Sequence, residues 1–152
     1  MTSILGGIAV SANFILDDCL GFIVAKTNIK LKNTFFKHLR DYDITPEQWA
    51  VLNRLWENDG ISPTMLSERI YKDVPNVLRI LDKLQRKELI TRRENPQDKR
   101  ASIIFLTERG ADLKHELIPI VVKINEQATT DIDHQQLQQL KLLLHKVYVN
   151  LE

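Results

Sequence analysis

The segment Asp73–Leu89, which reads DVPNVLRILDKLQRKEL, decides the fold. Its apolar residues recur at the i, i+3, i+4 and i+7 spacing of one buried helical stripe. Asp73 is placed to cap the first turn, where Pro75 costs little because its missing N–H would be unpaired anyway. The opposite face carries Asn, Arg and Lys, which suits a helix that enters the DNA major groove. The stripe consists of Val77, Ile80, Leu81 and Leu84.

The residues on either side of this helix predict a winged helix. Before it, Pro63–Ile70 reads as a short helix with Ser62 as its N-cap, and the connection to the next helix is short. After it come two strand-like runs, Leu89–Glu94 and Ala101–Leu106, joined by a basic turn over residues 95–100. Gly60–Ile61 is placed to add a short edge strand to this hairpin.

Four further helices are expected around this module. Ser11–Leu39 lacks Pro and reads as one long helix, which ends at a break over Asp41–Asp43. Thr45-Pro46-Glu47-Gln48 is a capping box that begins the next helix. Thr107 is expected to cap a helix that continues to about Thr130, and a last helix follows Asp133.

The first and last helices carry more apolar surface than one chain needs. The last helix alternates apolar spacings of three and four, which forms a heptad seam. We therefore predict a homodimer, although packing within one chain is an alternative explanation of the seam. The predicted dimer residues are Leu16, Leu20, Leu137, Leu140, Leu144, Val147 and Leu151.

Composition and charge point to a DNA-binding protein of the cytoplasm. The 152 residues carry a net charge of only +1, but residues 69–100 hold ten Lys and Arg against five acids. Such a local basic block is the electrostatic footprint of a DNA reader. The single cysteine excludes an internal disulfide framework, and no run is long and apolar enough to span a membrane.

The predicted fold class is therefore mainly α with a small β-hairpin wing. We expect one domain over residues 1–152, with a winged helix-turn-helix core at about 44–110. Dimerisation helices should cover about 11–40 and 107–152.

The segment after the hairpin turn resembles a known family. Asp98-Lys99-Arg100, five residues and then Leu106-Thr107-Glu108-Arg109-Gly110 match the D-x-R-x5-L-T-x-x-G wing signature of MarR family winged-helix transcription regulators. Residues 44–52 and 67–69 resemble the second and third helices of that family, and the similarity runs continuously over about residues 20–115.

The resemblance implies a homodimer on a pseudo-palindromic operator, usually a repressor relieved by a small ligand. Arg100 would be the wing-tip arginine in the minor groove. Asp98 would support the wing by pairing with a nearby arginine, with Arg93 and Arg86 as the two candidates. Arg79 matches the arginine of the family's Thr-Val-Thr-Arg recognition segment.

That recognition segment reads Asn76-Val77-Leu78-Arg79 here, which predicts a changed base preference. The hypothesis is that Asn76 reads an adenine and that Leu78 contacts a thymine methyl group. Ser62 and Thr64, at a helix start, have two readings, as caps or as phosphate contacts. The predicted DNA-contacting residues are Ser62, Thr64, Pro75, Asn76, Leu78, Arg79, Lys83, Arg86, Arg92, Arg93, Lys99 and Arg100.

Four aromatic residues are candidates for a pocket that takes a small aromatic ligand, with plain core packing as the alternative reading. These residues are Phe22, Phe35, Trp49 and Trp56.

Other functions find less support in the sequence. Cys19 precedes by two residues the position at which some family members sense peroxides, and Gly21 occupies that position, so a buried cysteine is favoured over a redox sensor. A winged helix that binds a protein partner without DNA is a further alternative, which the basic wing disfavours. We expect no catalytic residues, no metal site and no cofactor, because no such motif occurs.

Overall fold

The structure, a computed structural model, describes residues 14–152. The chain divides after Asn33, and residues 14–33 and Thr34–Glu152 are described separately. The helices are α1 (Leu20–Leu39), α2 (Pro46–Glu57), α3 (Pro63–Ile70), α4 (Val74–Arg86), α5 (Glu108–Asp112), α6 (Lys114–Ala128) and α7 (His134–Val149). The antiparallel strands β1 (Ile90–Asn95) and β2 (Asp98–Leu106) lie between α4 and α5. The predicted class, helical with a hairpin wing, is confirmed.

The expected first helix over Ser11–Leu39 is wrong at its beginning. Residues 11–13 lie outside the described residues, and α1 begins only at Leu20. A 3-10 turn, Leu16–Asp18, comes before it. Cys19 then has extended backbone, and its carbonyl accepts the N–H of Ile23. Aspartate has a low helix propensity, and two consecutive aspartates in this turn disfavour an α-helix there.

The predicted caps of α2, α3 and α4 are confirmed. Thr45 and Gln48 form the reciprocal capping box of α2. Ser62 Oγ accepts the N–H of Met65 at 3.2 Å and begins α3. Asp73 Oδ1 accepts the N–H of Asn76 at 2.8 Å and begins α4. Since each cap satisfies an otherwise unpaired backbone donor, these short helices begin where the local sequence places them.

The apolar core lies in the second part of the chain. Residues of α2, α3, α4, β1 and β2 contribute fully buried aliphatic side chains to it. The expected edge strand is present as a single β-bridge, in which Ile61 and Ile104 exchange backbone hydrogen bonds of 3.2 and 2.9 Å. The core includes Leu39, Ile44, Val51, Leu52, Leu55, Leu66, Val77, Leu81, Leu84, Ile90, Ile104 and Leu117.

The hairpin turn is shorter than expected. Only Pro96 and Gln97 separate the strands, and Asn95 pairs directly with Asp98. Asn95 Oδ1 accepts the Gln97 N–H, and Asp98 Oδ1 accepts the Arg100 N–H, both at 3.0 Å. These side-chain bonds tighten the turn, so most of the expected loop 95–100 belongs to the strands.

The expected helix from Thr107 to about Thr130 is interrupted at Leu113. Thr107 does cap its start, accepting the N–H of Gly110. At the junction the hydrogen bonding tightens, since the Glu116 N–H donates to the Leu113 carbonyl three residues back. Pro119 lies inside α6 and supplies no N–H to it. The last helix, α7, begins after Asp133 as expected, and Asp133 and Gln136 form a capping box there.

None of the helices over residues 14–152 has the length and apolar character that crossing a membrane requires.

Candidate nucleic-acid interface

Helix α4 has one buried face and one exposed polar face. The side chains of Val77, Leu81 and Leu84 are completely buried. Because helical residues three and four apart share a face, burial of this stripe turns the residues between them outward. The exposed predicted DNA contacts on α4 are Pro75, Asn76, Leu78, Arg79, Lys83 and Arg86.

Three polar side chains on the exposed face form a continuous chain of hydrogen bonds. Asn76 Nδ2 donates to Asp73 Oδ2 at 2.6 Å, and Arg79 Nη2 donates to Asn76 Oδ1 at 2.8 Å. The Asn76 backbone N–H is the main cause that lowers the pKa of the Asp73 carboxyl. The Asn76 side chain and the Arg79 charge lower this pKa further, against the opposing effect of desolvation. The two ends of the Asn76 amide are therefore both engaged.

The two predicted contacts on α3 differ in exposure. Ser62 is half-buried and its hydroxyl already caps the helix through Met65. Thr64 is exposed in the first turn. Of the two, Thr64 is the better placed for a phosphate, since its side chain lies on the surface beside a helix N-terminus.

Lys99 and Arg100 lie at the beginning of β2, next to the hairpin turn. Both are exposed, as a basic wing tip requires. Among the described residues, no ion pair joins Asp98 to either of its predicted partners, Arg93 and Arg86. Asp98 instead bonds the Arg100 backbone, and the Arg93 guanidinium lies 4.5 Å from the centroid of the Phe105 ring. The carboxylate supports the wing by holding its turn.

Arg92 connects the wing to α4. Its Nη2 lies 2.5 Å from Asp82 Oδ1, and its Nε is buried without a hydrogen-bond partner among residues 14–152. An arginine engaged in this way has fewer donors left for a phosphate. The sequence prediction of Arg92 as a DNA contact missed this ion pair, since nothing local brings a strand residue to a helix residue ten positions earlier.

A second connection, also missed, holds the end of α4. Lys87 Nζ donates to the Asp43 carbonyl and to Gln48 Oε1, the latter at 3.0 Å, and pairs with the Asp43 carboxylate at 3.1 Å. Gln48 is a buried polar residue, and its Oε1, which already accepts the Thr45 N–H in the capping box, gains a second donor from Lys87. Asp43 has a left-handed backbone conformation that helps its carbonyl turn toward Lys87.

The aromatic candidates for a ligand pocket are largely part of the core. The ring centroids of Phe35 and Trp49 lie 5.6 Å apart with the ring planes tilted by 58°. Trp56 Nε1 donates to the Gly110 carbonyl at 2.9 Å. All three pack against buried aliphatic residues. Phe22 lies in the first part of the chain.

A cavity of about 680 Å³ lies elsewhere, against residues 41–43, 86–89, 108–109, 112–113 and 116. Its lining is mostly charged, with six acidic and three basic side chains. It adjoins the end of α4, where Lys87 holds the helix.

Most of the predicted dimer residues are solvent-exposed in the single chain. Leu16, Leu20, Leu140 and Leu144 expose between 42 and 54% of their surface, and Leu151 exposes 83%. Leu137 and Val147 are half-buried, and α7 has no fully buried residue. Apolar exposure on α7 extends beyond the predicted seam, to Leu142, Leu143, Tyr148 and Val149.

Cys19 is a free, half-buried cysteine. It lies one residue before α1 and not inside the helix as expected.

Comparison with known proteins gives consistent results. The MarR family profile matches residues 44–102. The regulator SarZ of Staphylococcus aureus strain MRSA252 is 32% identical over 106 residues, 70% of each chain. The organic hydroperoxide resistance transcriptional regulator of Bacillus subtilis is 28% identical over 133 residues, 86% of this chain and 87% of that one.

Solved structures agree with these sequence matches. A crystal structure of a mutant MarR from E. coli complexed with operator DNA superimposes with a TM-score of 0.82 and 26% identity. The superposition covers 89% of this chain and 99% of the E. coli chain. These relatives are transcriptional regulators and not enzymes.

Proposed function

This chain belongs to the MarR family of DNA-binding transcription regulators, and on that premise we propose that it is a repressor that binds a pseudo-palindromic operator as a homodimer and is released by a small ligand. The observation that carries the proposal is the exposed face of α4 beside the basic wing. Asn, Arg and Lys on a helix supply base-edge and phosphate donors, and exposed Lys99 and Arg100 extend the positive surface to a second groove. The MarR of E. coli, which the chain resembles, has been crystallised with its operator.

Homodimer formation is supported by apolar surface that one chain leaves in water. Exposed leucines run along α7, and Leu20 is half-exposed at the start of α1. Contiguous apolar patches on a soluble protein mark interaction sites. A second copy of the same chain supplies a matching surface, because two-fold symmetry places each patch against its own counterpart.

We expect the purified protein to sediment at twice the mass of one chain at micromolar concentration. Replacing both Leu140 and Leu144 by Asp should shift it to the mass of a single chain, because the change puts charge into the proposed interface. The control replaces Gln138 and Gln139, exposed polar residues of the same helix, by Asp and should leave the mass unchanged. A wild-type protein that sediments as a monomer would contradict the dimer and the palindromic site together.

The wing contributes affinity that is independent of sequence. We expect Arg100→Ala and Lys99→Ala each to weaken binding to operator and random DNA alike. Each lost contact should lower the slope of log K against log salt by about 0.9, since one fewer counterion is released. Binding measured by fluorescence anisotropy at several salt concentrations gives this slope.

Lys114→Ala is the control for the wing variants, because it removes one positive charge from the start of α6, outside the wing and α4. It should keep the wild-type slope. If the wing variants also kept that slope, Lys99 and Arg100 would not contact DNA.

The ligand part of the proposal rests on the cavity beside the end of α4. Its volume of about 680 Å³ is in the range of small-molecule sites. A ligand there touches residues 86–89, where the recognition helix is held by Lys87. The charged lining fits a polar ligand better than the aromatic one expected from the sequence.

A further inference from the structure

The hydrogen bonds on the exposed face of α4 bear on which residue reads the DNA bases. Asp73, Asn76 and Arg79 follow one another at intervals of three residues, so their side chains lie along one line of the helix surface. All three are exposed, and each is bonded to the next. The chain begins at the N-cap, where Asp73 is also held by the Asn76 backbone N–H at 2.8 Å.

The orientation of the Asn76 amide is fixed by its two partners. Arg79 has donors only, and the ionised Asp73 carboxylate has acceptors only. The amide oxygen must therefore face Arg79 and the amide nitrogen must face Asp73, since the flipped amide would lose both bonds. To read an adenine, Asn76 would have to use its nitrogen and oxygen together on the base edge. Asp73 already takes one of the two protons on that nitrogen, and Arg79 takes one of the two lone pairs on that oxygen. Half of the amide's bonding capacity therefore holds Asn76 between its two neighbours, in the position that orients Arg79.

Arg79, in contrast, keeps the donors that base reading needs. Only one of its five N–H groups is used by Asn76. Whichever Nη2 proton is engaged, a parallel pair of N–H groups remains, either Nε with Nη2 or Nη1 with Nη2. Such a pair matches the O6 and N7 acceptors of guanine. The bond from Asn76 also reduces the rotational freedom of a long side chain before DNA binds, which lowers the entropy cost of the contact.

We propose that Asn76, held by Asp73, is a positioning residue that orients Arg79 to read a guanine, and that Asn76 does not itself read a base. This inference rests on the proposed DNA-binding function and deepens it, because it assigns the specificity of each half-site to a G·C pair opposite Arg79. It replaces the hypothesis that Asn76 reads adenine.

The test begins with the site that the wild-type full-length protein selects from a randomised DNA library. Affinities are then measured for that site and for single base-pair changes, with wild type, Asn76→Ala, Asn76→Asp, Arg79→Ala and the double variant Asn76→Ala with Arg79→Ala. We expect Arg79→Ala to abolish the preference at one G·C pair. Asn76→Ala should weaken the preference at that same pair by about five- to tenfold, part of the roughly 5- to 150-fold that a bidentate contact provides.

Asn76→Asp separates positioning from reading. Aspartate keeps an acceptor for Arg79 but has no donor for the N7 of adenine. We therefore expect Asn76→Asp to retain part of the guanine preference, because the aspartate still accepts from Arg79 although it loses its bond to Asp73. It should bind all DNA more weakly, because it adds a negative charge. In the double variant, Asn76→Ala should have no further effect on base preference, since the residue that it positions is gone.

Asn76→Ala keeps the helix cap, because the backbone N–H at position 76 still donates to Asp73. An unchanged circular dichroism spectrum checks this. The inference is overturned if Asn76→Ala erases a preference at a separate A·T pair, or if its effect adds fully to that of Arg79→Ala. If the wild type selects no sequence at all, the proposed function fails instead, so the two failures are distinguishable.

Discussion

Replacing Gly110 by alanine should destabilise the protein by about 3 kcal/mol, near the upper end of the usual cost of overpacking. A Cβ atom built on Gly110 would lie 2.0 Å from the carbonyl oxygen of Leu89 and 3.0 Å from its carbonyl carbon. That oxygen cannot simply move away, because it accepts the backbone N–H of Thr107 at 3.0 Å. The start of α5 would have to shift, and the hydrogen bond from Trp56 to the Gly110 carbonyl would be strained with it.

Urea unfolding at one fixed protein concentration measures this effect, since the stability of a dimer depends on concentration. Gly21→Ala is the matched control, because no described residue lies within 4 Å of a Cβ built there. It lies in α1 and should be neutral or stabilising by up to about 1 kcal/mol. Equal stability of the Gly110→Ala variant and the wild type would contradict the close approach of α5 to the backbone of Leu89.

The elements that the sequence predicted correctly are those whose signals are local. The capping box of Thr45 and Gln48 and the cap of Asp73 act within four residues, so the sequence contains all of the information needed. The stripe of α4 is likewise a property of one helix. The predicted beginning of α1 was wrong because it rested only on the absence of proline, which permits a helix but does not specify where the helix begins.

The interface was predictable in its composition and less so in its connections. Periodicity alone predicted that Asn76 and Arg79 face outward. Their three-residue spacing from Asp73 also indicates that the three side chains can bond to one another. The ion pair of Arg92 with Asp82 depends on how the hairpin packs against α4. The contact of Arg93 with the Phe105 ring depends on strand register, since Arg93 pairs with Ile103 and Phe105 is the diagonal neighbour.

The spacing of the two half-sites is the geometric consequence of a dimeric reader. In the proposed complex one α4 enters one major groove, and the two-fold partner presents its own α4 about one helical turn away, roughly 34–36 Å or 10–10.5 bp centre to centre. With a wing beside each recognition helix, protection should extend into the adjoining minor grooves. The protected site should therefore be pseudo-palindromic.

Inserting about five base pairs, half a helical turn, at the centre of that site should lower affinity at least about 100-fold, toward the level of non-specific DNA. The insertion places the second half-site on the opposite face of the duplex, where one dimer cannot reach it.

Inserting a full turn returns the second half-site to the same face of the duplex, but it leaves the two half-sites farther apart than in the native site. It should also fail to restore binding, because apolar surfaces on long helices would hold the subunits at one separation. Footprinting and affinity measurements on the native site and the two spacer variants test both expectations. Equal affinity for all three would mean that single subunits bind half-sites independently, and the dimeric repressor would have to be abandoned.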